Sequence, residues 1–190
     1  MLRWNLRRPK FDPMRHSTIL LLTGGRSKRM GSDKASLEIG GVPQGMRMAR
    51  IASTLAGRVV EVGGSIAGVE RIADRGEGPH NAVVLALGEL ALPRSEIVVV
   101  LPVDLFAMDN HGLSWLMREV HRSPGVLEGR DGPNYAVFGA PVGYLERRSN
   151  PMSLRDLVGG LRHIVPPAGL VDRFFDADTR SEFDRVQGRL

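Results

Sequence analysis

The sequence predicts one doubly wound α/β domain, with a mainly parallel sheet flanked by helices on both faces. Three observations support this. Short apolar runs rich in β-branched residues alternate with stretches whose apolar residues recur every three or four positions, the signature of strands and helices taken in turn. The runs Ile19–Leu22 and Ile97–Val103 are apolar almost throughout, as strands covered on both faces are. A chain of 190 residues, 42% hydrophobic and 25% charged, is long enough for one ample core and contains no linker that would divide it.

Ile19–Leu22 opens the sheet. Pro43 then begins a helix in which Met48, Ile51, Ala52 and Leu55 fall on one face. Arg58–Val62 reads as the second strand, Gly63-Gly64 as its exit turn, and Glu70–Ala73 as a short third strand ending at Asp74. Asn81–Leu92 is apolar almost all round, which predicts a buried helix. Ile97–Val103 is the strongest strand, and Leu113, Leu116, Met117 and Val120 mark the helix after it. From Pro124 to Arg148, glycines and prolines interrupt short apolar pieces and predict irregular strands and hairpins. Leu154–Leu161 reads as helix, His163–Val165 as a short strand and Ser181–Gln187 as a terminal helix.

Composition excludes several classes of function. With no cysteine, disulfides and thiolate metal sites are ruled out. No apolar run approaches the roughly 20 residues that cross a bilayer. The net charge of +5 is concentrated at one end: residues 1–16 carry five cations (Arg3, Arg7, Arg8, Lys10, Arg15) against Asp12 and supply +4 of it. The remainder is near neutral and has no basic face studded with aromatics, so neither nucleic acid nor a membrane is an expected partner. Residues 1–16 read as a disordered basic extension and 17–190 as the domain, in a cytoplasmic protein that is a monomer or weak homo-oligomer. The five histidines show no HxxxH spacing, and Ser27 lacks a GxSxG context, so neither zinc nor acyl chemistry is indicated.

The most informative stretch is Ile19–Lys34, ILLLTGGRSKRMGSDK. A buried strand runs into Gly24 and Gly25, then into a loop crowded with Arg26, Lys28, Arg29 and Lys34. Glycines allow a sharp turn and a close backbone approach to a ligand, and cations beside such a backbone favour a polyphosphate. The alternative is a glycine turn with solvated basic residues. Neither the Walker A pattern nor GxGxxG occurs. In open α/β sheets ligands collect beyond the carboxyl ends of the strands, which directs attention to two further loops. Asp104 follows Ile97–Val103 directly. A carboxylate there can hold Mg²⁺ together with substrate phosphate, or can simply cap the next helix. Asp74 precedes Gly78-Pro79, where an Asx turn is the structural alternative to a ligand contact.

The first loop resembles the signature LAGGxSxRMGxDK of the nucleotidyltransferases that include molybdenum cofactor guanylyltransferase. Leu22 to Lys34 depart from it only at Thr23, which stands where the signature has alanine. The resemblance implies a nucleotide-diphospho-sugar transferase type of fold, Rossmann-like. It also implies Mg²⁺-dependent transfer of GMP from GTP to a molybdopterin-type phosphate acceptor, with release of pyrophosphate. Carried over residue by residue, it places Leu22, Thr23, Gly24, Gly25, Lys34, Asp74 and Asp104 at the nucleotide. Arg26, Lys34 and Asp104 would act in catalysis, with Asp104 as the Mg²⁺ ligand.

The later motifs diverge. Gly78-Pro79-His80-Asn81-Ala82 stands for GPLAG, and Gly63-Gly64-Ser65 has no asparagine where Ser-x-Asn is common. Asp176-Ala177-Asp178-Thr179 stands for NxNT, which implies a different acceptor, a second cation, or ordinary turn aspartates. Cytidylyl transfer, or transfer of a nucleotide to another phosphate, is therefore an alternative. A non-catalytic nucleotide-binding protein is another.

Overall fold

The computed structural model describes residues 13–24, 33–64, 66–148, 150–177 and 179–188. A 3₁₀ turn at Pro13–His16, whose Met14 packs against the core, leads into β1 (Ser17–Leu22). After a 3₁₀ turn at Lys34–Ser36 come the short strands β2 (Glu38–Ile39) and β3 (Val42–Pro43), then α1 (Gln44–Leu55), β4 (Arg58–Val62) and β5 (Glu70–Ile72). Helix α2 (Pro79–Leu90), β6 (Ile97–Pro102) and α3 (Asn110–Arg122) follow. The last third holds β7 (Gly125–Gly129), β8 (Gly132–Pro141), α4 (Val142–Leu145), α5 (Leu154–Leu157), β9 (Arg162–Ile164) and α6 (Arg180–Gln187).

Seven strands form one sheet in the order β5-β4-β1-β6-β8-β7-β9. The pairs β5–β4, β4–β1, β1–β6 and β7–β9 are parallel, and only β8 runs against its neighbours. The carboxyl ends of the other six strands therefore lie along one edge. The central strands bury both faces. Ile19 and Leu21 join a core with Met48, Ala52, Leu113, Leu116 and Met117 from α1 and α3. Leu20 and Leu22 face the opposite core with Ala82, Val83 and Ala86 from α2. The doubly wound reading of the sequence holds.

The segment 125–141 is a hairpin with a ten-residue second strand, irregular as expected because its register shifts between Val126 and Leu127. Its glycines serve packing: a methyl on Gly139 would lie 2.6 Å from Val120 Cγ1, and one on Gly125 would lie 2.6 Å from Ile164 Cγ1. Other elements differ from expectation, each for a local reason. The predicted helix over 154–161 is a single turn, because Gly159 and Gly160 end it, Gly160 at φ +85°. Helix α2 is not buried all round, since Val84 is 41% exposed. The β2–β3 hairpin has no counterpart in the sequence reading. Its turn uses Gly40 and Gly41 at φ +58° and +77°, the positive values that a tight two-residue hairpin turn requires.

Gly139→Ala tests the packing of α3 on β8. The added methyl should destabilise the fold by about 1–3 kcal/mol, seen as a melting temperature lower by several degrees; a shift of less than about 1 °C would mean that the contact with Val120 yields freely.

Candidate active site

Four loops meet at the carboxyl edge of the sheet: those after β1, β4, β5 and β6. Their relative height is fixed by the ladder. Leu22 pairs with Pro102 and with Val62, and Val103 N donates to Leu22 O at 3.1 Å, so β1, β4 and β6 end together. Leu22 is buried in the core and Thr23 is nearly so.

The amide of Gly24, expected to face phosphate, instead donates to Val62 O at 3.1 Å, as does that of Thr23. The strand ends at Leu22 as the sequence suggested, and this bond just beyond its end consumes the donor. Gly24 matters for its missing side chain. A methyl there would lie 2.8 Å from Asp74 Oδ2 and 3.1 Å from Gly63 Cα. Gly63 closes the same contact from the other side at φ +102°, with its hypothetical methyl 2.5 Å from Gly24 Cα. Gly24, Gly63 and Asp74 are thus packed against one another. Asp74 also forms the Asx turn, with Oδ1 accepting from Gly76 N at 2.9 Å. The Asx-turn reading of Asp74 is met, and the turn it forms lies against the glycine loop. Gly25, Arg26, Ser27, Lys28 and Arg29 lie outside the described residues, as does Ser65.

Lys34 and Asp104, 70 residues apart, are brought together: Lys34 Nζ donates to Asp104 Oδ2 at 2.8 Å, with both side chains mostly buried. Asp33 makes this possible by capping the 3₁₀ turn that carries Lys34, its Oδ1 accepting from Ala35 N at 3.0 Å. Asp104 is not a helix cap, because Asp109 caps α3 by accepting from Gly112 N at 2.8 Å. The other oxygen, Asp104 Oδ1, is buried and has no hydrogen-bond partner among the described residues. A desolvated anionic oxygen without a donor is costly unless a cation or ligand completes it. Among the described residues no three acidic or histidine side chains gather to form an all-protein metal cage. One hard oxygen is nevertheless a donor that suits Mg²⁺, because Mg²⁺ keeps waters and takes substrate phosphate as ligand. Asp104 fits that ion.

Two features escaped the sequence. Glu61 is fully buried on β4, its Oε1 accepting from Thr23 Oγ1 at 2.8 Å and its Oε2 from Ile66 N at 2.6 Å. It ties the first loop to the loop after β4, and Gly64 packs so closely above that a methyl would lie 2.2 Å from Oε1. A polar residue in a strand of apolar neighbours was the available signal. At the other end of the site, Ala177 N donates to Asp104 O at 3.4 Å, so the segment 175–177 runs beside Asp104. Thr179 caps α6 in a capping box with Glu182, and Asp178 lies outside the described residues. A cavity of about 260 Å³ opens next to Asp176, lined by Arg130, Asn134, Tyr135 and Phe175 among others.

Residues 19–164 match the MobA-like NTP transferase domain. The chain belongs to that family. The MobA-like chain is 31% identical over 129 residues to a probable molybdenum cofactor guanylyltransferase of Opitutus terrae, an alignment that spans 62% of this chain and 64% of that relative. In fold it is similar to the molybdopterin-guanine dinucleotide biosynthesis protein A of Archaeoglobus fulgidus, with TM-score 0.69 at 17% identity, covering 90% of this chain and 97% of the other. It is also similar to a 4-diphosphocytidyl-2C-methyl-D-erythritol synthase, with TM-score 0.64 at 14% identity, covering 90% and 97%. Among the described residues no helix is long and apolar enough to cross a membrane.

Removing the hydroxyl by Thr23→Ala should strand Glu61 Oε1 without its side-chain donor. Urea unfolding should then show a loss of about 1–3 kcal/mol, and unchanged stability would mean that water or another group replaces the bond.

Proposed function

We propose that this chain is a Mg²⁺-dependent nucleotidyltransferase that transfers GMP from GTP to a molybdopterin-type phosphate acceptor and releases pyrophosphate. The reading rests on one observation above the others: at the carboxyl edge of the sheet, where open α/β folds collect ligands, a lysine stands 2.8 Å from a carboxylate whose other oxygen has no partner among the described residues. The relative from Opitutus terrae supports the choice of guanine and of the acceptor. The protein acts in the cytoplasm as a monomer or weak homo-oligomer.

An oxygen of the acceptor's terminal phosphate is already anionic, so the reaction needs no enzymic nucleophile. That oxygen attacks the α-phosphorus of the nucleotide; the bond from the α-phosphorus to the bridging oxygen breaks, and pyrophosphate leaves with the electron pair. What the protein must do is hold the two phosphates in line and neutralise charge as it develops. Lys34 supplies a cation, and Arg26 is proposed to supply another. Asp104 is the residue that would hold Mg²⁺, which contributes further neutralisation of the phosphates when bound. Asp74 and the Gly24–Gly63 contact shape the floor beneath the nucleoside.

A different base is the second reading, and one observation favours it. A methyl on Gly78 would lie 3.2 Å from His80 Cε1, so His80 folds back over the turn where GPLAG has only small and aliphatic side chains. Thermal shifts with GTP, CTP, UTP and ATP in Mg²⁺ discriminate the two readings, because the bound nucleotide stabilises the native state.

Asp104→Asn and Lys34→Ala should each slow pyrophosphate release about a hundredfold or more at saturating nucleotide and Mg²⁺, with melting temperatures within a few degrees of the parent. Unimpaired turnover in either variant would remove that residue from the mechanism. Absence of release from the parent across all four nucleotides and a panel of phosphorylated acceptors would leave a nucleotide-binding protein without catalysis.

A further inference from the structure

Gln44 is the first residue of α1, and the NH₂ group of its side chain reaches out of its own helix. It is fully buried, and its Nε2 donates to Val103 O at 2.9 Å and Leu105 O at 3.2 Å, the two carbonyls that flank Asp104. Its backbone N–H donates to Leu37 O at 2.8 Å, immediately after the turn that carries Lys34. One residue therefore grips the loop of the carboxylate with its amide and the loop of the lysine with its main chain.

Arg47, one turn further along α1, completes the arrangement. Its Nη1 donates to Phe106 O at 3.0 Å and to Gln44 Oε1 at 3.2 Å, and its Nη2 donates to Met108 O. Burial lowers its pKa from the ordinary guanidinium value, opposed by the charge of Asp109. A desolvated guanidinium directed at main-chain carbonyls holds a loop that has no ladder of its own. Four carbonyls between 103 and 108 are thus fixed by α1, and Asp104 lies within that span.

We propose that Gln44, supported by Arg47, is a positioning residue that holds Asp104 Oδ1 and Lys34 at the spacing needed for a divalent cation on the nucleotide phosphates. The proposal rests on the nucleotidyltransferase reading of Asp104. Neither residue touches the reacting atoms. Both act through the peptide groups on either side of the carboxylate, as outer partners of a metal ligand do.

The test measures Mn²⁺ as a stand-in for Mg²⁺, by electron paramagnetic resonance of the free ion in the presence of GTP, for the parent, Gln44→Met and Arg47→Lys. Methionine keeps the length and burial of Gln44 without a donor, and lysine keeps the charge of Arg47 without the fork. Mn²⁺ should bind about tenfold more weakly to Gln44→Met and severalfold more weakly to Arg47→Lys, with the Mg²⁺ concentration for half-maximal pyrophosphate release rising in parallel. The KM for GTP at saturating Mg²⁺ should stay within about twofold, since the nucleotide keeps its own contacts.

Gly139→Ala, which loosens packing far from the site, is the stability control and should leave Mn²⁺ binding unchanged. Mn²⁺ affinity within twofold of the parent in Gln44→Met, with melting lowered as in the control, would reduce Gln44 to a scaffold residue and overturn the proposal. Should Gln44→Met fail to fold, the same criterion applied to Arg47→Lys decides. A parent that binds no Mn²⁺ with GTP overturns the metal reading of Asp104 and this proposal together, whereas a parent that binds it alongside unaffected variants overturns this proposal alone.

Discussion

The site depends on the register between β1 and β6. Leu22 lies opposite Pro102, and the hydrogen bond from Val103 to Leu22 extends the pairing one step beyond. Both strands bury both faces, so a slip of one residue would turn every side chain toward the wrong core. That cost locks the chain ends that leave the sheet, and it fixes where Thr23 and Asp104 stand before any ligand contributes. The lysine arrives by a longer route, through a capped 3₁₀ turn and a small hairpin, and is delivered to the same place by the start of α1.

Charge at this edge is handled unequally. The carboxylate of Glu61 is satisfied on both oxygens by neutral donors and is closed from solvent, whereas among the described residues that of Asp104 is satisfied on one oxygen only. Buried acids of the first kind hold structure together. Those of the second kind carry an unmet electrostatic demand, and such demands gather where ligands bind. The contrast separates the two acids more clearly than their positions in sequence do, since both sit at or near the end of a strand.

Much of this was legible from residues alone. The strand–helix alternation, the second strand at Arg58–Val62 and the α3 stripe of Leu113, Leu116, Met117 and Val120 follow from hydrophobic period, which burial enforces. Asp104 could be singled out because it follows a run whose apolar character predicts a strand, and Lys34 because it ends the cation-rich glycine loop that carries the family signature. What could not be read was partnership across long separations. Gly125 and Gly139 look like breakers because their role, close approach by Ile164 and Val120, belongs to other elements. The commitment of the Gly24 amide to Val62 lies just beyond the end of β1, where hydrophobic pattern carries no information. Gln44 drew no notice in the sequence, since nothing local reveals that a polar residue opening this helix faces inward.

The threonine in place of alanine before the double glycine looks minor in the sequence, yet it is one half of a unit with Glu61. Each member supplies what the other would otherwise lack away from water. The two positions are therefore inherited most easily together. A chimaera that joined the first forty residues of this chain to a remainder with no acceptor at position 61 would leave the hydroxyl with the main-chain oxygen of Val62 alone, in a space with room for little besides.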